Sequence, residues 1–300
     1  MAYPLQFGWK NDTVPTKLRN FLQQHGVSHA VLTQIKFHGG QMTINGRPAW
    51  SVDEVAIGDV VTIVLPPEPA NAAVTISDQP LNVVKEDANF LIVNKPAGVA
   101  SVPAHHYGND TLVNRAKGYF ITHGMPLQVP HIVTRLDKGT SGLVLFGKHH
   151  MAHSILDQQL KAHTLQKTYL AVVSGRGLPD HGEIKAPIKR APDSFIKRTT
   201  ASDGQAAYTE FWTINEGPEW SVVKVRLHTG RTHQIRVHFA SLGHALVGDE
   251  LYGGMVLPNL NHQALACTDL QFYDPFSRQT WQVHQDPDDQ IKQLLHQTNV

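Results

Sequence analysis

Short apolar runs along the chain follow two different periods. In "VPTKLRNFLQQHGVS", Leu18, Phe21 and Leu22 fall at helical spacing and Gly26 follows, which predicts a helix that stops at that glycine. A short helix is expected next. "MTINGRPA" then reads as a strand turned by Asn45-Gly46, and "VAIGDVVTIVLP" alternates in the manner of a half-buried strand. Beyond residue 82 the runs lengthen. "NFLIVNKPAGVAS" is a buried strand that stops at Lys95-Pro96, and "HIVTRLD" and "GLVLFGK" are expected strands around a KGTSG turn. "HHMAHSILDQQLKAHTL" sets Ile155, Leu156, Leu160 and Leu165 in rough helical register. "KTYLAVVSG" reads as a strand, and "IKRAPDSFIKR" as a polar loop. "AAYTEFWTINEGPEWSVVKVRLHTG" reads as a hairpin turning at Glu216-Gly217-Pro218, and "RTHQIRVHFASLG" as a helix that begins near Thr232 and stops at Gly243.

Strands and helices are mixed without regular alternation. That predicts an α+β fold with a mostly antiparallel mixed sheet rather than a doubly wound one. Between the two groups of runs lies "LPPEPANAAV", with three prolines in four positions (Pro66, Pro67, Pro69), which suits neither a helix interior nor a central strand. The division expected is a small α/β unit over residues 10–67, a linker over 68–81 and a larger domain over 82–290.

Composition narrows the class. The chain has 300 residues, enough for a core without covalent staples, and its one cysteine, Cys267, can form neither an intrachain disulfide nor a multi-cysteine metal site. No run approaches the length of a membrane span, and "MAYPLQFGWKND" lacks the basic and apolar segments of a secretion signal. A soluble, cytoplasmic monomer without membrane contact is expected. Net charge is only +1, but it is unevenly spread. Lys10, Lys17, Arg19, Lys36 and Arg47 face one acid, Asp12, within residues 10–47, and Lys224, Arg226, Arg231 and Arg236 share residues 224–238 with none. Local basic faces on a near-neutral protein suit a polyanion, though solvated charged faces look the same at this level.

Several motifs fail on physical grounds. "GLVLFGKH" approximates a phosphate-binding loop, but its interior is apolar and His149 stands where a metal-binding hydroxyl belongs. "GTSGL" lacks the second glycine of a nucleophile elbow. His149, His153 and Asp157 could share a helical face, but an amphipathic helix with a polar outer side explains them better. No metal centre or cofactor is expected.

Two stretches carry candidate chemistry. In "RLDKG", Asp137 stands between Arg135 and Lys138, and nearby cations favour an ionised carboxylate fit to serve as nucleophile or base. Gly139 and Gly142 allow a sharp turn, and the apolar strand after it would hold that turn in place. A surface ion pair at a hairpin would look similar. In the second stretch, Arg231, Thr232 and His233 precede a helix start, a position suited to phosphate, and Arg236 lies in its first turns. An ordinary capped helix explains this stretch about as well.

These stretches together resemble the RluA family of RNA pseudouridine synthases. "TRLDKGTSGLV" matches the family's H-R-L-D motif with Thr134 in place of the usual histidine. "NKPAG" (94–98), "QKTYLAVV" (166–173) and "TGRTHQIRVHFASLGHALVGDELYG" (229–253) resemble its other motifs in the expected order. The likeness spans residues 82–285, and residues 10–67 are similar to the small RNA-binding domain often fused ahead of the catalytic one. The resemblance implies isomerisation of uridine within RNA, ribosomal large-subunit RNA first and transfer RNA second. It implies Asp137 as the catalytic carboxylate and Tyr169 as the active-site tyrosine, stacking on the target base. Arg236 would pair with the aspartate, and Arg135 would fill the gap left by the flipped base. Arg231 and His233 would contact backbone phosphates. Specificity is expected near His105–Asn109 and Ile184–Arg198. A binding module of the same fold without chemistry, and an unrelated hydrolase built on the Asp137 turn, are the competing readings.

Overall fold

A computed structural model of the chain describes residues 5–69, 71–104, 109–125 and 129–297. Of the expected specificity segments, residues 105–108 therefore lie outside the described residues. Two main apolar cores organise what is described. The smaller is built by helices Leu18–Gln24 and His29–Phe37 against a four-stranded antiparallel sheet. In that sheet Val60–Val64 lies between Gln6–Lys10 and Gln41–Ile44, and Gln41–Ile44 turns through Asn45-Gly46, both at positive φ, into Arg47–Pro48. The helical spacing of Leu18, Phe21 and Leu22 is fully spent, since all three are buried. The Gln6–Lys10 strand was not expected from the sequence: it is short, none of its residues is fully buried, and it pairs with the distant Val60–Val64.

This core is not closed by its own residues. Met151 and Ile155, from helix His150–Lys161 of the larger part, complete it, and Ser154 Oγ donates to the Gly26 carbonyl at 2.9 Å. The helix that was expected to bury one face therefore buries two.

The larger core sits on a ten-stranded mixed sheet. Its main path runs 181–184, 209–216, 220–227, 166–174, 265–274, 141–147, 90–95, 83–86. Every pairing is antiparallel except that of Ser141–Gly147 with Leu265–Asp274, joined through Ser141↔Ala266 and Gly142↔Cys267. Ser141–Gly147 is buried at every position, as its unbroken apolar run foretold. Gly142 has φ 108°, and a Cβ there would meet the Cys267 carbonyl oxygen at 2.2 Å, so only glycine fits.

Three differences from the sequence reading matter. "HIVTRLD" forms only the two-residue strand His131–Ile132, after which residues 133–140 run irregularly and bring Asp137 to a cleft. "IKRAPDSFIKR" is framed by a small hairpin, Ile188–Arg190 with Arg198–Thr200. Helix Leu112–Thr122 escapes pattern reading because Gly118 interrupts it; a Cβ there would press on the Ser77 carbonyl at 2.1 Å.

Candidate active site

One cleft of about 1030 Å³ gathers all six residues singled out above: Arg135, Asp137, Tyr169, Arg231, His233 and Arg236. It exceeds what a drug-sized ligand needs, and it admits a nucleotide together with flanking backbone. Four chain segments far apart in sequence converge on it.

The segment carrying Asp137 is held from below by side chains. Ser101 Oγ donates to Leu136 O at 2.6 Å and accepts from Leu136 N at 3.0 Å, while Thr134 Oγ1 accepts from Leu145 N at 2.9 Å. Thr134 is therefore a buried clip to the Ser141–Gly147 strand, which gives a role to the residue that departs from the motif. Lys95, fully buried, donates to the carbonyls of Pro96, Val99 and Lys138, tying "NKPAG" to the Asp137 turn. Burial lowers its pKa to about 7, against the pull of the nearby Asp137 charge.

Arg236 is bound more tightly to another acid than to Asp137. Its Nε and Nη2 donate to both oxygens of Asp249 at 2.7 and 2.8 Å, and only Nη1 approaches Asp137, at 3.6 Å. Arg236 is 7% and Asp249 2% exposed, so this is a buried bidentate pair. Asp137 thus has the Arg236 cation beside it, and the His233 ring with Nε2 at 4.0 Å. Its sequence neighbour Arg135 instead stands exposed on the rim.

His233 occupies the left-handed region, φ 58°, a costly backbone for a residue with a side chain, and it places the ring inward just before helix Gln234–Ser241. Its Nδ1 meets the Tyr252 hydroxyl at 2.9 Å, and that hydroxyl accepts from Arg198 N–H. The Tyr252 proton is then available to Nδ1, leaving Nε2–H to face Asp137. Burial lowers the His233 pKa, with Asp137 opposing, which favours the neutral ring. The helix start is less open to phosphate than the sequence suggested. Gln234 Oε1 already accepts from Arg231 N and from Thr229 Oγ1.

Tyr169 is 4% exposed and stands at a register shift, where Thr168 pairs with Asp269 but Tyr169 with Cys267. Such a bulge re-aims a side chain. Burial, then the Cys267 and Asp137 neighbours, raises its pKa well above the usual value, so the phenol stays protonated. Cys267 is itself fully buried, with its thiol pushed up to about 12 chiefly by that burial.

Sequence reasoning missed Asp249, Tyr252 and Lys95. Asp249 and Tyr252 lie inside the quoted last motif, so the signal was present, but no spacing rule links Arg236 to an acid thirteen positions on. The helical trio set aside earlier does not assemble: His149 is the buried N-cap of helix His150–Lys161, and Asp157 pairs with Lys161.

The fold is that of solved structures titled pseudouridylate synthase. A human protein titled RNA pseudouridylate synthase domain containing 1 matches with a TM-score of 0.58 at 22% identity, over 78% of this chain and 98% of that one. The family model described as RNA pseudouridylate synthase matches residues 89–241. A Bacillus subtilis protein named "Uncharacterized RNA pseudouridine synthase YjbO" is 38% identical over 267 residues, 89% of this chain and 94% of its own. The Zymomonas mobilis protein named "Ribosomal large subunit pseudouridine synthase D" is 34% identical over 286 residues, 90% and 87% of the two chains. The chain belongs to the RNA pseudouridine synthase family, isomerases acting on uridine in RNA.

Proposed function

We propose that this isomerase converts specific uridines of large-subunit ribosomal RNA, with Asp137 as its catalytic carboxylate. The observation that carries the assignment of Asp137 is the division of labour among the cleft's acids. Both oxygens of Asp249 are occupied by Arg236, and Glu250 is exposed, whereas Asp137 is half-buried, with Arg236 Nη1 at 3.6 Å and His233 Nε2 at 4.0 Å. A carboxylate that no bidentate partner locks is free to engage a substrate. The ribosomal target is supported by the printed name of the Zymomonas relative and by the small basic unit ahead of the cleft, whose Lys10, Lys17, Arg19 and Arg47 are exposed. We take residues 10–67 as a second RNA contact, joined by 68–81 to a catalytic domain over 82–290.

In this reading the target uridine leaves its stack at a cost of roughly a few kcal/mol, and Arg135 on the rim fills the vacancy. The bond from ribose C1′ to N1 breaks, the uracil turns, C1′ bonds to C5, N1 takes up a proton and the C5 proton departs, so that the product is an isomer of the substrate. No second substrate is consumed. Asp137 serves this sequence as nucleophile or as the acceptor of that proton. Tyr169, kept as a neutral phenol, works through its ring and as a donor, never as a base near neutral pH. Arg231, exposed at the mouth of the cleft, contacts the RNA backbone, whereas His233, its ring turned to Asp137 and Tyr252, serves the floor.

The test is pseudouridine mapping by carbodiimide modification and primer extension in source cells lacking the gene. Loss of large-subunit sites, restored by the wild type and not by Asp137→Asn, is the expected result. Sites lost in transfer RNA instead would move the target. Restoration by Asp137→Asn would remove Asp137 from the chemistry.

A further inference from the structure

Away from the cleft, three donor groups from three segments converge where the small unit meets the larger one. Glu68, in the proline-rich segment, is nearly buried, its side chain 5% exposed. Its Oε1 accepts from the backbone N–H of His150 at 2.8 Å, at the first turn of helix His150–Lys161. Its Oε2 lies 2.5 Å from His131 Nε2 and 3.5 Å from His150 Nε2. The two imidazoles are 4.5 Å apart by ring centroid. All three ligand atoms fall within 4.8 Å of one another, the one such group among the described residues.

We propose that Glu68, His131 and His150 form a site for a divalent transition metal of the zinc class, which clips the interdomain segment to the catalytic domain. A tetrahedral ion with bonds of about 2.0–2.1 Å sets its donors roughly 3.3 Å apart. The Glu68–His150 separation already matches, and the Glu68–His131 contact needs to open by less than an ångström. Two nitrogens and one carboxylate oxygen select zinc, cobalt or nickel over magnesium or calcium. The carboxylate is oriented as a metal ligand requires, one oxygen fixed by a backbone donor and the other facing the imidazoles. Pro67 and Pro69 flank Glu68 and limit its backbone, which lowers the ordering cost of the site. The His150 side chain is 43% exposed, which leaves an approach for the ion and a fourth position for water. Binding requires the hydrogen between Glu68 and His131 to leave Nε2, and an ion held by one carboxylate and two neutral imidazoles keeps a single net positive charge, which the water in its fourth position and the solvent screen. His131 also begins the segment that runs on to Asp137, so an occupied site restrains the catalytic turn at its other end.

The test is calorimetric titration of the chelator-stripped full chain with zinc sulfate, with magnesium chloride as control. We expect one equivalent of zinc bound with a dissociation constant below about 10 µM, no magnesium heat, and a melting temperature raised by about 3 °C. His150→Gln changes a half-exposed side chain and keeps the fold; it should weaken zinc binding at least tenfold, as about the minimum for loss of a ligand. His131→Gln should do the same, and Asp137→Asn should leave zinc binding unchanged. No stoichiometric binding at about 100 µM zinc overturns the proposal. So does full-affinity binding retained in His150→Gln, which would assign the heat to other histidines of the chain.

Discussion

The floor and the rim of the cleft use the same residue type in opposite ways. On the floor, Arg236 is buried and forked onto Asp249, with the Tyr252 ring 5.0 Å from its guanidinium carbon. On the rim, Arg135 is exposed, two residues before Asp137. The floor arginine has lost its freedom before any substrate arrives, so its worth lies in fixing charge at a point. The rim arginine keeps its rotamers and can follow a nucleic acid. Adjacency in sequence to Asp137 thus did not decide which arginine lies against it.

Removing the carboxylate gives the largest expected effect. Asp137→Asn should lower the single-turnover rate on RNA by at least about 10³-fold, with RNA affinity changed less than about threefold. A rate near wild type would dissolve the floor as a catalytic unit. Next comes the fork. Asp249→Ala leaves a buried guanidinium without its partner, and a loss of about 3–5 kcal/mol in urea unfolding is expected. A loss below about 1 kcal/mol would mean that Arg236 moves to Asp137 and that the floor is less rigid than its geometry.

A second anchored carboxylate, Asp288, gives the next effect. Asp288 accepts from Ser141 Oγ at 2.6 Å and from the N–H groups of Gln290 and Ile291, and it lies 3.5 Å from His262 Nε2. Burial works to raise its pKa, but the His262 and Ser141 contacts prevail and hold it near 2, below the ordinary 3.8. Its contribution is therefore whole above the unfolded value and is lost as pH falls through the folded one. Asp288→Asn should cost about 2 kcal/mol at pH 6. The gap to wild type should close between pH 4 and 2, as checked by denaturant unfolding across that range. A gap that stays constant with pH would show that the hydrogen bonds alone, and not the charge, hold the start of helix Asp289–Gln297. The rim gives the smallest effect. Arg135→Ala should weaken RNA binding by about three- to tenfold and flatten its salt dependence, with the rate at saturating RNA within about threefold of wild type. If the saturated rate falls as it does in Asp137→Asn, the rim belongs to the floor.

Much of this could be seen in the sequence, and what escaped it has physical causes. Buried strands such as Phe90–Lys95 and Ser141–Gly147 announce themselves because burial on both faces leaves an unbroken apolar run. The motif order named the cleft residues, and the structure brings all six of them to one cleft. Pairing between distant segments left no local mark. Asp249 beneath Arg236, the register shift that turns Tyr169, and Glu68 meeting His131 across sixty-three positions are set by tertiary packing alone. The Asp137 turn looked like a hairpin end because its composition is that of one. What keeps it irregular is a set of side-chain clips, from Ser101, Thr134 and Lys95, that no periodicity reports.

The deeply seated Cys267 has a practical consequence for following this molecule in motion. The native chain's single thiol is shielded from solvent and resists ionisation, so maleimide dyes should leave the folded wild type unmarked. Cysteines placed at Phe37 on the small unit and Phe195 on the 188–200 hairpin, 74% and 91% exposed, would then take a fluorophore pair without any background substitution. Energy transfer between them would report, in real time and on single molecules, whether the small unit and the 188–200 hairpin change their separation as RNA enters and leaves.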